Sequence, residues 1–177
     1  TAVDTGCGAN PDCLGDDSLA VSPSGRRLVT MRAFLPIDDN GNATNVSIFK
    51  MNIDGSNATQ ITFPAVGFED HEARWSPDGR QLVFQRLALD TGFSSIYIAR
   101  SDGSDAHAVT NPGIDAGNPD WSPDGEKIVF QSPSEPDRST PQQIYTIRTD
   151  GTHLVQLTDY AFDPSLTIKS FRARWSP

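Results

Sequence analysis

The chain has 177 residues and a net charge of −9, because 14 Lys and Arg stand against 23 Asp and Glu. This balance disfavours a nucleic-acid binder, since a surface that follows phosphates requires a basic stripe to displace counterions. Hydrophobic residues make up 36% of the chain and are spread along it, which is enough for one folded core, and no apolar run approaches the roughly 20 residues of a helical membrane span.

The first segment is rich in Gly, Asp and Pro and contains both cysteines of the chain, Cys7 and Cys13, separated by five residues. We predict that 1–17 is a lead-in and that 18–177 forms the main domain. The chain starts without an initiator Met and stops inside a repeated motif at 175–177. We therefore expect a piece of a longer protein, in preference to copies that associate to complete an assembly.

A repeat organises the rest of the chain. The motif Trp-Ser-Pro-Asp-Gly stands at 75–79 and 121–125, with a weaker copy at 21–25 and a truncated copy at 175–177. Between these motifs, three further features each recur twice at intervals of 48 residues. They are an isoleucine (Ile48, Ile96 and Ile144), an Asp-Gly pair (54–55, 102–103 and 150–151) and a threonine (Thr62, Thr110 and Thr158).

Each repeat is predicted to form four short strands joined by turns. Ser-Pro-x-Gly and Asp-Gly supply the turns, because Pro presets φ and Gly adopts the left-handed conformation at the exit. After the turn at 21–25, the predicted strands follow in chain order at 28–31, 48–51, 60–62, 73–75, 81–85, 95–99, 107–110, 127–130, 143–147 and 155–158. No segment shows a sustained helical period, so the sequence predicts an all-β fold.

The Trp-Ser-Pro-Asp-Gly, Ile-Tyr, Asp-Gly and Leu-Thr elements, repeated in this order from about Leu19 onward, resemble the TolB-like β-propeller repeat. The resemblance implies a β-propeller of four-stranded antiparallel blades at about 19–62, 73–110 and 118–158, with the start of the next at 172–177. It also implies a periplasmic or extracellular location, which favours a disulfide between Cys7 and Cys13 over free thiols. Three blades are fewer than a closed propeller needs, so their open edges could also support self-association.

The connections between strands differ in how much their lengths vary. The turns between the first and second strands, and between the third and fourth, keep their sequence in every copy. The other connections change in length from copy to copy, and in a four-stranded meander they all lie on the opposite rim of the blade. Insertions in repeat proteins collect on the face that is free of packing constraints, which is often the binding face. We call this face the variable rim and expect a protein or peptide partner there.

The predicted partner-binding residues lie on the variable rim and on the adjoining inner strands. The segments 68–72, 111–118 and 159–172 are predicted to be rim connections, and Arg74, Asp120 and Arg174 precede the repeated Trp at matching positions. These three could line a central channel, or could pair with one another across neighbouring strands. The full predicted set is Glu69, His71, Glu72, Arg74, Asn118, Asp120, Arg172 and Arg174.

The sequence offers no motif for catalysis, a cofactor or a metal. Nucleophile-elbow and phosphate-binding glycine patterns are absent from it. Among the histidines only His71 has acidic neighbours on the predicted rim, and we interpret that segment as an acidic surface loop rather than a metal site. The segment 38–42 is interpreted as a polar loop tip, and the repeated aromatic residues as packing between blades.

The sequence therefore favours a non-catalytic binding module for a protein or peptide. The alternative is the propeller domain of an enzyme, such as a prolyl-oligopeptidase-like peptidase or a carbohydrate-active protein, whose catalytic part lies outside this chain.

Overall fold

The structure is a computed structural model that describes residues 12–37, 43–134, 141–159 and 174–175. Within these ranges the chain forms three four-stranded antiparallel sheets and one short 3-10 helix at Pro112–Ile114. The first sheet contains β1 (Cys13–Val21), β2 (Arg27–Ile37), β3 (Ala43–Asn52) and β4 (Thr59–Gln60). The second contains β5 (Phe68–Trp75), β6 (Gln81–Ala88), β7 (Ser94–Arg100) and β8 (His107–Ala108). The third contains β9 (Gly117–Trp121), β10 (Lys127–Ser132), β11 (Gln143–Arg148) and β12 (Val155–Gln156).

Each sheet is a meander in which strands that follow one another in the chain are hydrogen-bonded neighbours. The first strands of the three sheets lie side by side, because β5 contacts both β1 and β9. These are the inner strands of a propeller, and the short β4, β8 and β12 are the outer strands. The chain is therefore a partial β-propeller of about three blades, as the sequence predicts.

The inner strands begin earlier than predicted. β1 starts at Cys13, inside the predicted lead-in, β5 starts at Phe68 instead of 73, and β9 starts at Gly117. Each inner strand pairs with its neighbour through a shift of register, so a bulge interrupts the alternation of inward and outward side chains. Because of this interruption, the alternating pattern by which a strand is predicted does not extend over the first half of each inner strand.

The constant spacing of 14 residues between the repeated isoleucine and the repeated threonine has a direct structural cause. Thr62, Thr110 and Thr158 each accept a hydrogen bond through Oγ1 from the backbone N–H of the isoleucine 14 residues earlier, at 2.8 to 2.9 Å. The threonine, which lies two residues after the outer strand, thereby ties that end of the blade to its third strand in every copy.

The core lies between the blades. One apolar cluster joins blades one and two around Ile48, Ile61 and Phe84, and a second joins blades two and three around Ile96, Val109 and Phe130. Trp75, Tyr97, Trp121 and Tyr145 pack in these clusters, as predicted.

The indoles also link neighbouring blades. Trp75 Nε1 donates to the carbonyl of Ala20, and Trp121 Nε1 donates to the carbonyl of Arg74, at 3.2 and 3.3 Å.

Some predictions fall where the structure gives no description. The polar loop tip at 38–42 lies outside the described residues, as does the start of a fourth blade apart from Arg174 and Trp175. Cys13 is disulfide-bonded, but Cys7 lies outside the described residues, so its pairing with Cys13 remains a prediction. No helix in the described ranges has the length and apolar character needed to cross a membrane.

Candidate partner-binding site

The bulges place one residue of each inner strand in the same unusual conformation. Ser18, Glu72 and Asn118 each stand three residues before the end of their strand and have φ between 51° and 54°. Non-glycine residues adopt this left-handed region rarely, so its recurrence at matched positions is a feature of the fold. The three bulges thus place a serine, a glutamate and an asparagine at matched positions of neighbouring inner strands.

The carboxylate of Glu72 is held by groups from two blades. Ser18 Oγ of the first blade donates to Glu72 Oε1 at 2.6 Å, and Arg74 Nη2 donates to Glu72 Oε2 at 3.2 Å. The side chains of Glu72 and Arg74 keep 13% and 15% of their surface exposed. Glu72 and Arg74 therefore form a pre-oriented pair of opposite charges at the inner edge of the second blade, still open to solvent.

The prediction of an acidic surface loop at 68–72 is wrong. These residues are the first part of β5, and Asp70 is fully buried while Glu69 is 5% exposed. Burial is tolerated because both carboxylates have partners: Glu69 Oε2 accepts from His71 Nε2 at 3.0 Å, and Asp70 accepts from Arg86. Glu69 Oε1 is buried and has no hydrogen-bond partner among the described residues.

Sequence reasoning missed an ion pair that repeats in two blades. Arg86 donates through Nε and Nη2 to the two oxygens of Asp70, at 2.7 and 2.9 Å, and Arg32 binds Asp16 in the same way. The partners lie opposite one another on the first and second strands. Burial by itself lowers the pKa of Arg86, whereas the hydrogen bond and the charge of Asp70 raise it. The pKa is raised overall, and the guanidinium stays ionised.

A repeat alignment could have identified this pair. The two aspartates are 54 residues apart, as are the two arginines, and 54 residues also separate the turn motifs at 21–25 and 75–79. The third blade has Ala116 and Ser132 at the corresponding positions, so the pair is not required by the fold.

Asn118 belongs to the contact between the second and third blades. Its backbone N–H donates to Gln85 Oε1 at 3.1 Å, and Gln85 Nε2 donates to Ser94 Oγ at 2.9 Å. Asn118 Oδ1 is buried without a partner within the described part of the chain. This arrangement fixes the position of the third bulge relative to the second blade.

Two of the remaining predicted site residues, Asp120 and Arg174, lie within the described ranges. Asp120 is partly buried on β9 opposite Val129, and Arg174 is exposed. Arg172 lies outside the described residues. Of the predicted set, the structure thus brings together Glu69 with His71 and Glu72 with Arg74.

The chemistry of this region is that of recognition by hydrogen bonds and charge. It offers the partly exposed carboxylate of Glu72 beside the guanidinium of Arg74. Among the described residues, no three His, Cys, Asp or Glu side chains are grouped as metal ligands would be.

No family model and no curated protein matches the sequence. The fold is similar to that of solved propellers. A protein from Agrobacterium tumefaciens assigned as TolB is 26% identical with a TM-score of 0.63, and the match covers 82% of this chain and 50% of that one. TolB from Acinetobacter baumannii is 20% identical with a TM-score of 0.57, over 80% of this chain and 32% of that one.

An enzyme is also similar in fold. Dipeptidyl peptidase 4 from Porphyromonas gingivalis is 11% identical with a TM-score of 0.57, and the match covers 81% of this chain and 24% of the peptidase. This chain thus spans half or less of each of these structures. The fold is TolB-like, and the same kind of propeller occurs in TolB and in peptidases.

Proposed function

We propose that this chain is a non-catalytic binding module that holds a protein or peptide partner at the inner strands and the variable rim, in a periplasmic or extracellular setting. One observation carries the proposal: the three inner-strand bulges share one backbone geometry but present Ser18, Glu72 and Asn118. A position whose placement is fixed while its chemistry varies suits recognition, and bulges are enriched beside functional sites.

The charge arrangement supports a peptide-like partner. Glu72 and Arg74 offer an acceptor and a donor side by side, which complements the amide groups or the charged ends of a polypeptide. Their contacts with each other and with Ser18 hold both side chains in place before a partner arrives, which lowers the entropy cost of binding.

A capture experiment with matched variants tests the proposal. The wild-type chain, Glu72→Gln and Asp105→Asn are immobilised and exposed to an envelope or secreted fraction of the source cells. Asp105→Asn is the control, because it also removes one carboxylate charge but lies in an exposed ion pair with Arg100. We expect a protein that is retained by wild type and by Asp105→Asn and is lost with Glu72→Gln. Equal retention of the captured protein by wild type and Glu72→Gln, or no captured protein at all, contradicts the proposal.

The alternative is the propeller domain of a peptidase or a carbohydrate-active enzyme, and the likeness to dipeptidyl peptidase 4 is the observation that favours it. The full open reading frame distinguishes the two proposals. An α/β-hydrolase segment with a Gly-x-Ser-x-Gly motif after the propeller supports the enzyme, and further Trp-Ser-Pro-Asp-Gly repeats up to the stop codon exclude such a segment after the propeller.

A further inference from the structure

Five exposed apolar side chains lie on two connections of the variable rim and at the adjoining start of β5. Phe63 and Val66 belong to the link between the first and second blades, and Phe68 is the first residue of β5. Leu89 and Phe93 belong to the link between β6 and β7. Val66 is fully exposed, and Phe63 and Phe93 are 76% and 51% exposed. We call these five residues the rim patch.

Backbone hydrogen bonds bring the two connections together. Leu89 N–H donates to the carbonyl of Gly67 at 2.8 Å, and Ala88, which is paired with Phe68, donates to the carbonyl of Phe93 at 2.9 Å. Phe68 N–H also donates to the carbonyl of Ala65, which closes the first link into a turn. These bonds hold the backbones of the two connections beside one another, so the five exposed side chains belong to one part of the variable rim.

Such a surface is costly to leave in water. Single exposed apolar residues are ordinary, but contiguous apolar patches on a soluble protein mark contact sites. Three phenylalanines also match the aromatic enrichment at the centre of protein interfaces. The position of the rim patch at the start of β5 places it next to Glu69, which has a buried oxygen without a partner in the described ranges.

The local charge selects the kind of partner. Asp90 is exposed on the second link, and the first link carries no charged residue between Thr62 and Phe68. The whole chain has a net charge of −9. A second copy of this chain would bring the same negative charge against Asp90, whereas a basic partner would be attracted.

We propose that the rim patch docks an amphipathic segment of another protein that combines apolar and basic side chains. This inference rests on the proposed binding function and identifies the chemistry of its partner. The apolar side chains of the segment cover the phenylalanines, and its Lys or Arg residues face Asp90.

Fluorescence anisotropy with defined peptides tests the inference. Three labelled probes are used: a short peptide of alternating Leu and Lys, a second with Ser in place of Leu, and a third with Glu in place of Lys. We expect the Leu-Lys peptide to bind most tightly. The variants Leu89→Ser and Phe93→Ser are expected to weaken its binding by about tenfold each, because each removes most of an apolar side chain that the bound peptide would cover. Leu154→Ser is the matched control, since Leu154 and Leu89 have the same exposed fraction of 44% and Leu154 is remote from the rim patch in the third blade.

The possible outcomes separate the inference from the function on which it rests. Equal binding by wild type, Leu89→Ser and Phe93→Ser, or equal binding of the Ser-Lys peptide, overturns the rim patch as the docking surface. Loss of binding only with Glu72→Gln likewise overturns it, while leaving the proposed function intact. If mass photometry shows a dimer of wild type that Phe93→Ser abolishes, a second copy is the occupant and the inference is wrong.

Discussion

Asp70 and Arg86 face one another across β5 and β6 and form a two-pronged ion pair in the interior of the second blade. Asp70 is fully buried and the side chain of Arg86 is 19% exposed. We expect Asp70→Asn to lower the free energy of unfolding by about 3 kcal/mol, because a buried guanidinium is left without its counter-charge. Urea unfolding followed by circular dichroism measures this change.

The control for that prediction is Asp105→Asn, which breaks the exposed pair with Arg100. Exposed pairs contribute about 0 to 1 kcal/mol, so Asp105→Asn should change stability by less than about 1 kcal/mol. Similar losses of stability for the two substitutions would mean that the interior ion pair contributes no more to the free energy of unfolding than the exposed one.

The second prediction concerns the threonine that recurs every 48 residues. Thr110 is buried and its Oγ1 accepts the backbone N–H of Ile96 at 2.9 Å. Thr110→Val keeps the shape but leaves that N–H without an acceptor, and should cost about 1 to 3 kcal/mol. Thr110→Ser retains the oxygen and loses about one methyl group, near 0.8 kcal/mol. In thermal and urea unfolding, Thr110→Val should be less stable than Thr110→Ser. The reverse order would contradict the hydrogen bond between Ile96 and Thr110.

The third prediction uses two glycines with similar backbone angles. Gly103 and Gly92 have φ of 87° and 71°, but a Cβ on Gly103 would lie 1.6 Å from the carbonyl oxygen of Ile61, whereas a Cβ on Gly92 meets nothing within 4 Å. Gly92→Ala should cost about 1 kcal/mol for the left-handed conformation alone. Gly103→Ala must also force the first two blades apart.

The comparison of Gly103→Ala with Gly92→Ala therefore isolates the close approach between blades. We expect the loss of stability for Gly103→Ala to exceed twice that for Gly92→Ala in urea unfolding. Equal losses would show that the blades can move apart at little cost.

The fourth prediction concerns acid stability. Hydrogen bonds from the neighbouring Ser or Thr hydroxyl, and then from backbone N–H groups, lower the pKa of five turn aspartates below 3.8, the value of an isolated side chain. These are Asp54, Asp78, Asp102, Asp124 and Asp150. Because the folded pKa is below the unfolded pKa, the stabilisation is present above about pH 4 and is lost as the pH falls through the folded values.

Urea midpoints measured from about pH 6 down to about pH 2.5 check this sign. A variant with Asn at 54, 102 and 150 keeps the acceptor oxygens but not the charges, so its midpoint should fall less over the same range. A wild-type midpoint that stays level below pH 4 would contradict the assignment.

The architecture was predictable because its causes are local and repeated. In every blade a hydrogen bond from the isoleucine N–H to the threonine Oγ1 fixes the same spacing of 14 residues, as between Ile96 and Thr110. Ser76 and Asp78 fold the Ser-Pro-Asp-Gly turn through short-range hydrogen bonds. Such interactions leave a periodic trace in the sequence.

The candidate site was predicted less well, because its interactions join residues far apart in the chain. A run of Glu69, Asp70, His71 and Glu72 reads as a solvated loop, and only the pairing of β5 with β6 buries it. The rim patch was also missed, since its residues lie on separate segments whose backbones are joined by the hydrogen bond from Leu89 N–H to the carbonyl of Gly67.

The indole contacts also give the array a direction. Trp75 and Trp121 each donate to a carbonyl in the preceding blade, at Ala20 and Arg74. In both contacts the acceptor lies earlier in the chain than its donor, so each of these two tryptophans ties its own blade to the blade that precedes it.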